Sequence, residues 1–150
     1  MALRLTDHVN AEMKQLLLLA DPSESAIDRY LENGQCFVFE QEGILHGIVV
    51  LLETRPKVVE IMNIAVRKED QGLGLGKRIM SQVFAIAKRD GYGIIEVGTG
   101  NSSISQLVFY QKCGFRITGV DKDFFLKNYQ EPIFENGIQC CDMIRLVKNL

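Results

Sequence analysis

Histidine and cysteine are scarce in this chain. It has two histidines, His8 and His46, and four cysteines, Cys36, Cys113, Cys140 and Cys141, with no C-x-x-C pair among them. That argues against a zinc site and against a disulfide framework. The cysteines stand beside apolar neighbours (Phe37 and Val38, Phe115, Met143 and Ile144), which suits small core residues in a reducing compartment. An excess of one charge is also missing: 17 Lys plus Arg face 19 Asp plus Glu, for a formal charge of -2. A nucleic-acid binder would need a clustered basic surface, so no nucleic-acid partner is expected. Long apolar runs are absent too. Leu16 to Leu19 falls far short of the roughly 20 residues of a membrane span, and no basic stretch precedes it, so no membrane association and a cytoplasmic location are expected. There is no internal repeat and no low-complexity segment.

What the chain does have is 150 residues, 47% of them apolar. That suffices for one continuous core, and residues 1–150 are expected to form a single domain. After a short apolar start at Ala2 to Leu5, Val9, Met13, Leu16, Leu17 and Ala20 recur at helical spacing. Asp21-Pro22-Ser23-Glu24 reads as an N-cap, a first-turn proline and a capping-box glutamate, predicting a second helix over Pro22 to Glu32 that Asn33-Gly34 closes. From Gln35 the texture turns β-rich. Cys36 to Glu40 and Ile44 to Leu52, split by Gln41-Glu42-Gly43, predict a hairpin, and Val58 to Val66 a third strand of an antiparallel meander.

Gly72, Gly74 and Gly76 then open a helix marked by Ile79, Val83, Ile86 and Ala87, which Asp90-Gly91 stops. Ile94 to Val97 predicts a short buried strand and Gly98 to Ser103 a loop. Ile104, Leu107, Val108 and Gln111 pattern a fourth helix ended by Gly114, and Phe115 to Val120 and Cys140 to Leu146 read as the last strands. The order α-α-β-β-β-α-β-α-β-β predicts an α+β or mixed α/β layer fold. Asp121 to Gly137 carries Phe124, Phe125, Tyr129, Pro132 and Phe134, too many large apolar groups for a solvated linker.

The segment Gln71-Gly72-Leu73-Gly74-Leu75-Gly76-Lys77 joins a strand to a helix, so its free backbone N–H groups would face whatever lies at the helix N-terminus. Glycines let the backbone approach a phosphate, and the helix dipole adds about half a positive charge there. A P-loop, G-x-x-x-x-G-K-[ST], fails because Gly72 to Gly76 is one residue too short and Arg78 replaces the metal-binding hydroxyl. A dinucleotide fingerprint, G-x-G-x-x-G, would put its third glycine at Lys77 or Ile79, and keeps only Glu96, about twenty residues on.

Gln71-x-x-Gly74-x-Gly76 resembles the Q/R-x-x-G-x-G/A signature of the GNAT acetyltransferase superfamily, preceded by a strand ending Asn63-Ile64-Ala65-Val66 as in that family. Downstream, Asn101 and then Phe109-Tyr110-Gln111-Lys112-Cys113-Gly114-Phe115 resemble its N…LY-x-x-x-GF segment. The family asparagine falls seven residues before the tyrosine. Here Asn101 falls nine before Tyr110 and Ser103 holds the usual place, so by this resemblance either is a candidate to hydrogen-bond the coenzyme or substrate.

The resemblance implies a central, mostly antiparallel twisted sheet of about six or seven strands, flanked by four helices and splayed at a coenzyme site. It implies acetyl-CoA as co-substrate with no metal, and direct attack of a primary amine on the thioester. The backbone of Ile64, Ala65 and Val66 would pair with the pantetheine arm, and the amides of Gln71, Gly72, Leu73, Gly74, Leu75, Gly76 and Lys77 would hold the pyrophosphate. Tyr110 would touch the coenzyme and protonate the leaving sulfur. Glu60 matches the position where some members place a general base, while many others use a water chain instead, and strand alternation puts Glu60 on either face. An amine with a pKa of about 10.4 is neutral in roughly one molecule in 2,500 at pH 7, a cost near 4.6 kcal/mol that a base would relieve. The acceptor would be a small-molecule or peptide amine. Asp121, Asp123, Glu131 and Glu135, with the neighbouring aromatics, would line the acceptor side, cover the core or form a homodimer contact. The rival reading is a non-catalytic acyl-CoA-binding sensor or scaffold.

Overall fold

The computed structural model describes residues 2–150 and divides into two compact units, the chain up to Gly93 with Leu150, and Ile94–Asn149. In the first unit the elements run β1 (Leu3–Thr6), α1 (Ala11–Ala20), α2 (Glu24–Asn33), β2 (Gln35–Gln41), β3 (Ile44–Arg55), β4 (Val58–Val66) and α3 (Leu75–Arg89), with a 3-10 turn at Lys68–Asp70. The strands lie in the order β1-β2-β3-β4, every neighbour antiparallel. The apolar start is thus a strand, which its alternation alone did not announce. The meander is as expected: Glu42 and Gly43 make a two-residue turn with φ of 54° and 78°, the left-handed pair that matches strand twist.

The second helix begins later than predicted, because Asp21 is already in use. Its N–H closes α1 on Leu17 O at 3.1 Å and its carboxylate accepts from Ser23 N at 3.1 Å. Ser23 is the N-cap instead, its hydroxyl accepting from Ala26 N. Against one face of the sheet α1 and α2 bury Leu17 and Ile27 beside Val38, Ile48, Val50 and Ala65. Each fully buried aliphatic side chain contributes roughly 2 kcal/mol. On α3 the buried stripe is Ile79, Met80, Val83 and Ala87. Gly47 makes room for it: a Cβ there would lie 2.5 Å from Ile79 Cδ1.

In the second unit β5 (Ile94–Gly100), α4 (Ile104–Lys112), β6 (Arg116–Asp121), α5 (Phe124–Asn128), β7 (Phe134–Glu135), β8 (Ile138–Gln139) and β9 (Met143–Asn149) follow. β9 lies between β5 and β6, antiparallel to both, and β7 and β8 form a separate hairpin. The expected loop from Gly98 corrects to strand as far as Gly100, because Gly98, Thr99 and Gly100 pair with Arg145, Ile144 and Met143. Segment 121–137 is ordered as α5 and the start of the hairpin. With four sheet strands from one unit and three from the other, the mixed α/β, mostly antiparallel expectation is met, and α5 adds a fifth, short helix. Cys36 and Cys140 are buried as expected, whereas Cys113 and Cys141 are only half-buried, and all four thiols are free. Among the described residues no helix is long and apolar enough to cross a membrane.

Candidate active site

β4 is where sequence alternation fails. Its register against β3 passes from Val50↔Asn63 to Leu51↔Ile61, leaving Met62 as an extra, bulged residue. Directly paired residues share a face, and Glu60 pairs with Leu52, two positions from Val50. Glu60 therefore lies on the face of Asn63 rather than that of Ile64 and Val66. This face meets α1 and α2: Asn63 Nδ2 donates to Leu17 O and to the Tyr30 hydroxyl, both at 2.9 Å, and Tyr30 donates to Asp21 Oδ2 at 3.3 Å. Glu60 is half-buried, and the Ile64 and Ala65 side chains are buried. Asn63 Oδ1 is buried, with no hydrogen-bond partner among the described residues.

The loop after β4 is braced by residues that sequence reasoning passed over. Asp70 Oδ2 accepts from Arg67 Nε at 2.9 Å and meets His46 Nδ1 at 2.7 Å, while Arg67 N donates to His46 O at 2.8 Å. The Arg67 hydrogen bond, then that of His46, holds the Asp70 carboxyl below the ordinary carboxylate range. Arg67-x-x-Asp70 at an i, i+3 spacing was the available signal. Gln71 Nε2 donates to Val66 O at 3.0 Å, tying the signature glutamine to the strand end.

Gly72 and Gly74 have φ of 82° and 78°, and a Cβ on either would meet nothing within 4 Å. The left-handed backbone calls for glycine, and the space beside both is open. Gly74 is the N-cap of α3 and supplies no side-chain acceptor, and the first turn carries no acidic residue. The first-turn N–H groups of a helix have no intrahelical acceptor. Lys77 and Arg78 stand in that turn, where the dipole disfavours cations unless an anion joins them. Leu73 is 74% exposed, and Leu75 packs inward.

In the second unit Tyr110, Gly114 and Phe115 prove to be one local device. Gly114, at φ 100°, ends α4, with Gly114 N donating to Gln111 O at 3.0 Å and Phe115 N to Tyr110 O at 3.1 Å. That is the Schellman pattern, and its apolar contact is Phe115 edge-on to the Tyr110 ring at 5.9 Å. Tyr110 is 5% exposed, and burial, with the Cys113 sulfur second, pushes its hydroxyl pKa up. Among the described residues nothing hydrogen-bonds that hydroxyl.

Asn101 and Ser103 are both committed within this unit. Asn101 Oδ1 accepts from Cys141 N at 2.7 Å and Asp142 N at 2.9 Å, and its Nδ2 donates to Gln139 O at 3.1 Å. Ser103 Oγ donates to Glu135 Oε1 at 2.8 Å, tying α4 to the hairpin. Thus the structure gathers Ile64, Ala65, Val66 and Gln71 to Lys77 in the first unit, and Asn101, Ser103 and Tyr110 in the second. Glu60 sits on the α1/α2 face of β4. Among the described residues no group of three or more His, Cys, Asp or Glu side chains could hold a metal ion.

Known proteins resemble the chain over nearly its whole length. Residues 32–117 match the Acetyltransferase (GNAT) domain family. The "Uncharacterized N-acetyltransferase YvbK" of Bacillus subtilis (strain 168) is 53% identical over 148 residues, covering 99% of this chain and 96% of that protein. A Bacillus subtilis acetyltransferase solved in complex with CoA superposes with a TM-score of 0.94 at 52% identity, over 99% of this chain and 98% of that one. A GNAT family acetyltransferase from Elizabethkingia anophelis with acetyl-CoA bound gives a TM-score of 0.95 at 42% identity, over 99% and 97%. The chain belongs to the GNAT acetyltransferase family and is an acyltransferase that uses acetyl-CoA as its co-substrate.

Proposed function

We propose that residues 1–150 act as one N-acetyltransferase domain, moving the acetyl group of acetyl-CoA to a primary amine of a small molecule or peptide by direct attack in a ternary complex. The observation that carries this is the α3 N-terminus: uncapped amides, two left-handed glycines beside open space, and Lys77 and Arg78 where an acidic residue would ordinarily stand. The amides of Gln71 to Lys77 take the pyrophosphate, and the backbone of Ile64, Ala65 and Val66 pairs with the pantetheine arm as an added strand.

Tyr110 supplies the proton to the departing sulfur. Its raised pKa keeps the O–H intact at neutral pH. It also makes full transfer to a thiolate of pKa about 8.5 uphill by at least about 2 kcal/mol, so donation strengthens as the C–S bond opens rather than preceding it. Glu60 accepts the proton of the attacking amine, directly or through water. The tetrahedral adduct is far more acidic than the free ammonium and is the better proton donor to Glu60. Asn101 or Ser103 hydrogen-bonds the coenzyme or the substrate, from positions fixed by their bonds to segment 139–142 and to Glu135.

A panel of primary amines, scored by free thiol released from acetyl-CoA across pH 6–10 with wild type and Glu60→Gln, tests the proposal. Amine-dependent release is expected, with Glu60→Gln weak at neutral pH and recovering in alkali. Thiol release indifferent to every amine would remove the amine acceptor, and identical pH profiles would remove Glu60.

A further inference from the structure

The second unit ends its sheet on an open edge. β6 is hydrogen-bonded to β9 on one side only, and five of its six residues are exposed, Ile117 at 52% and Val120 at 58% among them. A strand paired on one side leaves alternate N–H and C=O groups directed outward along the other, a template for another chain.

A bulge decides what that template presents. The pairs run Arg116↔Val147 and Ile117↔Leu146, then Gly119↔Arg145, Val120↔Ile144 and Asp121↔Met143, so Thr118 is an extra residue. Paired residues share a face and successive residues of β9 alternate. Arg116, Gly119 and Asp121 therefore lie on the face of Arg145, and Ile117 and Val120 on that of Leu146. Without the bulge, Arg116 and Asp121 would point to opposite faces.

Two copies of Arg116-Ile-Thr-Gly-Val-Asp121 laid antiparallel, with a two-fold axis between Thr118 and Gly119, then match residue by residue. Arg116 of one copy faces Asp121 of the other, Ile117 faces Val120, and Thr118 faces Gly119, each pair occurring twice and on a common face. Among the described residues neither Arg116 nor Asp121 has an ion-pair partner within its own chain. Gly119 fits the same arrangement. Its φ is not left-handed and a Cβ would meet nothing within 4 Å, so nothing in its own chain calls for glycine. A second backbone at strand spacing, about 4.8 Å away, would bring the Thr118 side chain against it. The opposite edge offers no such match: β1 has four residues and no acid, and its Arg4 already pairs with Glu40.

We propose that the chain self-associates as a two-fold dimer through antiparallel pairing of β6 with its own copy. The test is sedimentation equilibrium of the full chain up to about 100 μM, since a six-residue seam sits at the weak end of specific interfaces. Wild type is expected to dimerise. Arg116→Asp and Asp121→Arg each set two like-charge pairs across the seam and are expected to weaken the dimer about tenfold or more. The combined variant restores opposite charges and is expected to recover it. Circular dichroism checks that each variant is folded. Independently of any substitution, the β6 amides of wild type should gain hydrogen-exchange protection as concentration rises. A monomeric wild type overturns the proposal, as does a dimer indifferent to both single changes, a double variant no better than the singles, or β6 amides whose exchange ignores concentration.

Discussion

The hydroxyl of Tyr110 lies in surroundings that keep its proton on. Burial raises its pKa, the Phe109 and Phe115 rings pack beside it at 5.5 and 5.9 Å, and no group among the described residues hydrogen-bonds it. A structural tyrosine and a proton donor make different predictions here. Tyr110→Phe deletes an oxygen without orphaning a partner, so its melting temperature should stay within about 2 °C of wild type. If the hydroxyl serves the leaving sulfur, kcat should fall about 10²- to 10⁴-fold with little change in the KM for acetyl-CoA. Stopped-flow thiol release separates chemistry from product release, and an unchanged chemical rate would return Tyr110 to packing alone. This residue was legible in the sequence because its helix, its glycine stop and Phe115 are local in the chain. Asn101 was not. Its partners lie 38 to 41 residues away, and only the fold brings 139–142 to its carboxamide.

For elements, the loop between β4 and α3 carries the sharpest expectation. Gly74 has a left-handed φ and open space where a side chain would project. A Gly74→Glu change therefore costs about 1–2 kcal/mol of backbone strain, which the fold can absorb, while setting a carboxylate among the uncapped amides. Titration calorimetry should show acetyl-CoA binding lost in a variant whose circular dichroism is retained. Undiminished binding would mean that the pyrophosphate lies elsewhere. The loop and the helix after it were readable because glycines punctuate the chain. The β4 bulge was not, since Val58 to Val66 looks like an ordinary strand and Met62 becomes extra only against the register of β3. One inserted residue moves Glu60 to the α1/α2 face, and a second, in β6, puts Arg116 and Asp121 on one face.

For the whole molecule, several buried or half-buried acids hold their protons more tightly than they would unfolded. The pKa values of Tyr30, Tyr92 and Tyr110 are all raised, chiefly by burial, Cys36 is pushed up to about 11, and Cys140 is raised by burial. A raised folded pKa gives stability that is complete below the unfolded pKa and is lost as pH climbs through the folded one. With unfolded thiols near 8.5 and phenols near 10, the melting temperature should be level from about pH 7 to 8.5 and then decline steadily toward pH 11. Thermal melts across that range check it, and a midpoint that held or rose to pH 11 would contradict the assigned burial.

Sequence by itself determined the punctuation and the chemistry within reach of one stretch of chain. The hairpin turn, the glycine opening of α3, the helix carrying Tyr110 and the membership of an acetyl-CoA-using family all rest on residues within a few positions of each other. Tertiary structure alone decided which face Glu60 occupies, why Asn101 and Ser103 are already engaged, how Asp70 draws His46 and Arg67 together, and what the β6 edge presents. Those outcomes depend on register between strands distant in sequence. A single bulge reverses every side chain beyond it, and no local pattern records where the partner strand will put it.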